Sequence, residues 1–152
     1  MTRSSSGSPS PEMIAALARF RYHLRRFLRF SERAARDAGL TPQQHQLLLG
    51  VAGHTGRGWA TISELAEFLQ ERHNAVVGLA ERARQAGLVR KQTVARDRRF
   101  VRVELTPKGQ RILNRLSALH RREFGRFKDL AGLAFTARVK SERKNGRRRP
   151  GK

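Results

Sequence analysis

The sequence predicts a mostly α-helical α+β fold, a winged helix-turn-helix flanked by two long amphipathic helices. Three features carry this expectation. Two short helix patterns separated by a three-residue break occupy residues 61–87. A pair of strand patterns follows directly, the second alternating apolar and polar residues. Long apolar stripes at spacings of three and four stand before and after this block.

Taken in order, residues 1–9 are Ser- and Gly-rich and are expected to be disordered. Ser10, Pro11 and Glu12 then open a helix with a capping hydroxyl, a proline at the first helical position and an acid in the first turn. Ile14, Leu17, Phe20, Leu24, Phe27 and Leu28 make one stripe over residues 10–38, with Arg21, Arg25, Arg26 and Arg29 largely off it. A helix of that length exceeds what a small core needs, which points to an arm packed on another helix or another subunit.

A lobe is expected over residues 41–105. Thr41 with Gln44 is a capping-box pattern, Pro42 takes the first helical position, and Leu47, Leu48 and Val51 face inward until Gly53 stops the helix. Trp59 and Ala60 read as a very short strand. Thr61 with Glu64 repeats the capping box, and Ile62, Leu65, Ala66 and Leu69 stripe the next helix. After a break at residues 70–72, Val76, Leu79 and Ala83 stripe a second helix that Gly87 ends.

The wing spans residues 88–105, with strands over 89–93 and 100–105 and a loop holding Arg96, Asp97, Arg98 and Arg99. Val101, Val103 and Leu105 alternate there with Phe100, Arg102 and Glu104. Thr106 and Pro107 start a helix over residues 106–126, with Ile112, Leu116 and Leu119 on its apolar side. Residues 127–152 read as a weak helix and a basic disordered tail.

Charge narrows the partners. The chain of 152 residues has 33 Lys+Arg against 12 Asp+Glu, a formal net charge of +21. A field of that sign attracts polyanions and says nothing about fold. The tail from Arg138 to Lys152 carries eight basic residues and one acid, so most of the excess lies before it. As an arm it is expected to strengthen non-specific binding to nucleic acid.

Absent chemistry narrows them further. There is no cysteine, hence no disulfide, thiolate metal site or cysteine nucleophile. The five histidines, His23, His45, His54, His73 and His120, show no i, i+4 pair of the kind that holds zinc on a helix. No phosphate-cradling glycine loop or nucleophile elbow is present. The expectations are no enzyme activity, no metal, no cofactor and no membrane span. A cytoplasmic location fits the lack of a secretory signal pattern.

The segments "GLTPQQHQLLL", "TISELAEFLQERHNAVVGLAERARQAGLVRK" and "DRRFVRVELTPKGQ" together resemble the MarR family of bacterial transcription regulators over roughly residues 11–124. The resemblance implies a homodimer with interlocked terminal helices, bound to a pseudo-palindromic duplex DNA operator. One recognition helix per half-site enters the major groove and the wing tip enters the minor groove. It further implies a repressor released in many relatives by a small aromatic acid or phenol. The C-terminus departs from the family pattern, because Gly132 and a basic tail stand where a further dimer helix is expected.

The candidate sites follow. Arg72, His73, Asn74, Val77 and Arg84 are left outward when Val76, Leu79 and Ala83 face the core. Asn pairs with adenine, Arg forks onto guanine or phosphate, and a helix N-terminus favours phosphate. Which of these residues touch bases is open. At the wing, Asp97 and Arg99 match the family's D-x-R, in which the acid holds the arginine extended toward the minor groove. Arg96 and Arg98 add phosphate contacts. A carboxylate restricts an Arg fork, and a narrow minor groove concentrates negative potential. Dimer contacts are expected from Ile14, Leu17, Phe20, Leu24, Ile112, Leu116 and Leu119. Phe20, Tyr22, Phe27 and Trp59 are candidates for an aromatic effector site. The rival reading is a basic protein of nucleoid or RNA-binding type that holds nucleic acid without regard to sequence.

Overall fold

Both capping boxes form. Thr41 Oγ1 accepts from the Gln44 backbone N–H while Gln44 Oε1 accepts from the Thr41 N–H, and Thr61 and Glu64 exchange the same pair of bonds. Each satisfies donors that a helix start leaves without a partner. The computed structural model describes the backbone of residues 9–94 and 97–145, and the side chains of residues 9–93 and 100–130. The elements are α1 (Pro11–Asp37), α2 (Pro42–Leu49), a π-helical turn (Gly50–His54), β1 (Trp59–Thr61), α3 (Ile62–Leu69), α4 (His73–Gln85), β2 (Val89–Val94), β3 (Asp97–Leu105) and α5 (Pro107–Asn145).

Residues 31–120 form one compact unit, the lobe. Its core gathers Leu47, Leu48 and Val51 with Leu65 of α3, Val76, Leu79, Ala80 and Ala83 of α4, and Val103 of β3. All but Ala80 are the inward positions that the helical and two-residue periods predict. The strands pair antiparallel in the order β1-β3-β2, with Ala60 opposite Val103 on the buried face.

Turn chemistry joins the pieces. Gln70 closes α3 in the left-handed region at φ 55, and the Glu71 N–H reaches back to the Ala66 carbonyl. Gly87, at φ 71, closes α4 in the same way, with the Leu88 N–H on the Ala83 carbonyl. The Thr106 hydroxyl then donates to the Gly87 carbonyl at 2.6 Å and accepts the Gly109 N–H at 3.0 Å. A Cβ at Gly109 would run into the Leu88 carbonyl, so α5 can pass this close only with glycine there.

Residues 1–30 and 121–152 form the second unit. Within it Phe27 packs on Phe127 at 5.5 Å and on Phe124 at 6.2 Å, and Phe20 meets Phe127 at 6.1 Å. Such tilted and edge-on pairs favour contact between the negative face and positive edge of the rings.

Four expectations need correction. Gly53 does not end the helix after α2, because the backbone widens into the π-helical turn through His54. β3 begins at Asp97 rather than Phe100, so Asp97, Arg98 and Arg99 are strand residues, with Val94 opposite Asp97 after a register irregularity at Thr93/Val94. α5 runs unbroken to Asn145, so the stretch after 126, expected as a separate weak helix, continues the same helix, and residues 146–152 of the expected disordered tail lie outside the described residues. One glycine costs a helix only about 1 kcal/mol against alanine, too little for Gly132 to break a run of strong helix formers. Lastly, Leu116 is fully buried in the lobe core beside Leu113, where a second subunit cannot reach it.

Candidate nucleic-acid interface

α4 lies with its stripe inward, and this fixes what it shows outside. Arg72 is its N-cap residue in extended backbone, and Arg72, His73, Asn74 and Val77 are all exposed. No carboxylate occurs between Arg72 and Ala80. The first turn therefore combines unpaired helix N–H groups with cationic and amide side chains, a setting that suits phosphate and base edges.

A depression of about 290 Å³ borders this turn. His73 and Val77 of α4, Thr61 and Ser63 at the start of α3, and Lys91, Phe100 and Val101 of the sheet line it. The structure thus brings together the start of α4, the start of the helix before it and the foot of the wing.

Arg84 differs from the other outward residues of α4. Its guanidinium holds Glu81 through Nη2 at 2.7 Å and Nε at 3.1 Å, and Lys91 Nζ reaches the same carboxylate at 3.1 Å. Arg84 first and Lys91 second hold the Glu81 carboxyl down to about 2. The acid ties α4 to β2 and occupies the Arg84 fork. Sequence reasoning counted Arg84 as outward and missed this. The signal was present in the three-residue spacing of Glu81 and Arg84.

Arg96 is outside the described residues, as are the side chains of Asp97, Arg98 and Arg99. Trp59 sits between Arg57 and Arg102, whose guanidinium carbons stand 3.9 and 3.8 Å from the ring centre. Both guanidinium groups lie over the ring of this chain's single tryptophan. Tyr22 is half exposed and meets His23 edge-on.

Arg57 also binds Glu64 at 2.7 Å. The Glu64 carboxyl is held below the usual range, first by the Thr61 backbone N–H and then by Arg57 and the Thr61 hydroxyl. One acid thus caps α3 and orients the arginine. Among the described residues no group of three His, Asp or Glu side chains is placed to hold a metal ion. No helix among them is long and apolar enough to cross a membrane.

Comparison with known proteins matches this geometry. The family model described as MarR family matches residues 38–99, nearly the whole run from the end of α1 to the wing. No curated protein matches in sequence. Solved structures share the fold at low identity. AbsC, a MarR family transcriptional regulator from Streptomyces coelicolor, aligns with TM-score 0.68 and 19% identity over 93% of this chain and 100% of its own. BpsR from Bordetella bronchiseptica, described with regulation of its DNA binding by 6-hydroxynicotinic acid, aligns at 0.62 and 21% over 88% and 98%. A MepR mutant from S. aureus bound to an oligodeoxyribonucleotide aligns at 0.60 and 16% over 83% and 94%. The MarR family model thus matches the lobe, and the winged helix-turn-helix fold of MarR family regulators is shared along the chain.

Proposed function

We propose that the chain acts as a homodimer that reads a two-fold symmetric duplex DNA site and represses transcription there. The observation that carries this is the first turn of α4, where Arg72, His73, Asn74 and Val77 project beside the wing with no acid among them. Asn74 and His73 offer base-edge hydrogen bonds, Arg72 offers a phosphate or guanine contact, and Val77 offers a methyl-sized apolar surface.

Dimerisation is supported by apolar side chains left in water. Ile14 is 57% exposed, Leu17 48%, Leu119 53% and Phe124 55%. Large apolar residues left exposed on helices are the kind of surface that a second subunit covers. The likeness to BpsR supports release by a small aromatic or phenolic ligand as part of the same proposal.

Binding measured against salt on selected and random duplexes tests the reading. A sequence-reading regulator prefers its site by ~10³ or more, whereas a binder driven by charge alone shows little preference at any salt.

A further inference from the structure

We propose that Arg102, held flat on Trp59, takes a DNA backbone phosphate at the foot of the wing, a contact separate from the recognition helix and the wing tip. The inference rests on the DNA-binding reading above.

The local sequence builds the platform. In "HTGRGW", Gly56 and Gly58 adopt φ 72 and φ 78, a region open to glycine without strain. The Thr55 hydroxyl donates to the Trp59 carbonyl at 2.8 Å and closes the loop. This tight turn sets Arg57 over the indole of Trp59. Arg102 arrives from β3, opposite Thr61 in the register. Two guanidinium carbons 3.9 and 3.8 Å from one ring centre would collide on a single face, so they occupy opposite faces.

The charges on this side of the sheet are unequal. Arg57 is matched by Glu64, and Arg90 by Glu104 at 3.1 Å. Arg102 has no ion-pair partner among the described residues, and its Nε is shielded from solvent without a hydrogen bond. With Nε shielded, stacking on the face of the guanidinium leaves its terminal Nη N–H groups for an acceptor. A fork already immobilised loses little freedom when it binds, and a phosphate oxygen is the acceptor its geometry fits.

Position supplies the ligand. Phe100 stands edge-on to Trp59 at 6.4 Å and lines the depression shared with His73, Val77 and Ser63. The Arg57–Trp59–Arg102 stack therefore borders the surface that presents the recognition helix. On the DNA-binding reading, a duplex lying along α4 would bring backbone phosphates to this edge.

The test uses the full chain and fluorescence-labelled duplexes, both selected and random, with affinity followed against salt. Arg102→Ala is expected to weaken both duplexes by a similar factor and to flatten the log–log salt slope by about 0.9 for each protomer engaged. Arg102→Lys keeps the charge without the planar fork and is expected to restore the slope but not the full affinity. Trp59, the single tryptophan, reports directly, and its emission is expected to change when duplex is added to the wild-type protein.

Unchanged affinity and slope in Arg102→Ala would overturn the proposal, as would a loss confined to the selected duplex. If Arg102→Ala fails to fold, the wild-type emission and Arg102→Lys decide: emission indifferent to bound duplex, with unaltered Arg102→Lys affinity, overturns it equally. Wild-type protein that binds no duplex removes the DNA-binding reading and this one with it. Wild-type binding with an indifferent Arg102 removes only this one.

Discussion

Arg84 Nη2 lies 2.7 Å from Glu81 Oε1, one helical turn back along α4, and Lys91 Nζ of β2 meets the same carboxylate. Two cations close to the proposed recognition surface are therefore committed to a protein acid. Arg84→Ala is expected to change DNA affinity by less than about threefold, against roughly tenfold or more for Asn74→Ala if Asn74 reads a base. Glu81→Gln releases both cations. Random duplex is then expected to bind tighter while the ratio of selected to random affinity falls, a pair of changes that titration on the two duplexes reads directly. A ratio that rises contradicts this role for Glu81.

At the wing, the sign of one substitution separates aiming from charge. Arg99→Ala and Asp97→Ala are both expected to weaken binding to the selected site, although the second removes a negative charge. Equilibrium binding of Asp97→Ala decides it, because a protein governed by charge alone binds tighter once the acid is gone.

Gly109 tests the fold. An added methyl meets the Leu88 carbonyl, and backbone cannot step aside as a flexible side chain can. Gly109→Ala is expected to cost about 2 kcal/mol or more, a fall in Tm of several degrees for a chain of this size. Gly53→Ala, where a Cβ meets nothing within 4 Å, is the control and should leave Tm near that of the wild type or above it.

His45 gives the stability a pH dependence. It is 2% exposed, and its ring lies 5.0 Å from that of His120, whose Nδ1 is 2.6 Å from the Leu116 carbonyl. Burial first and His120 second lower the His45 pKa to about 4. A histidine depressed in the folded state takes up its proton more readily when unfolded. Its contribution is complete above the unfolded pKa of about 6.5, shrinks as pH falls from there, and is gone below about 4. Denaturant titrations across that window are expected to show a loss of up to about 3 kcal/mol that His45→Gln largely removes. An equal loss in the variant assigns the pH dependence to other groups.

The lobe was legible because its signals are local. Thr41 with Gln44 and Thr61 with Glu64 lie three residues apart, and the inward stripe of Val76, Leu79 and Ala83 needs only the helical period. The structure also leaves Arg72, His73, Asn74 and Val77 exposed where that stripe predicts. What sequence concealed depends on residues far apart in the chain. Arg102 meets Trp59 only through the β1–β3 register, and Lys91 meets Glu81 only once the strand returns along α4. On α5, Ile112, Leu116 and Leu119 read as one apolar side, yet packing puts Leu113 and Leu116 in the core and leaves Leu119 exposed. The helical period marks an apolar face without saying which neighbour covers each part of it.

Selection of bound duplexes from a random pool by the full-length protein tests the central claim most directly. The account predicts a two-fold symmetric motif with half-sites about one helical turn apart, carried by a dimer. A pool that stays random in sequence after repeated rounds of tight binding would contradict it.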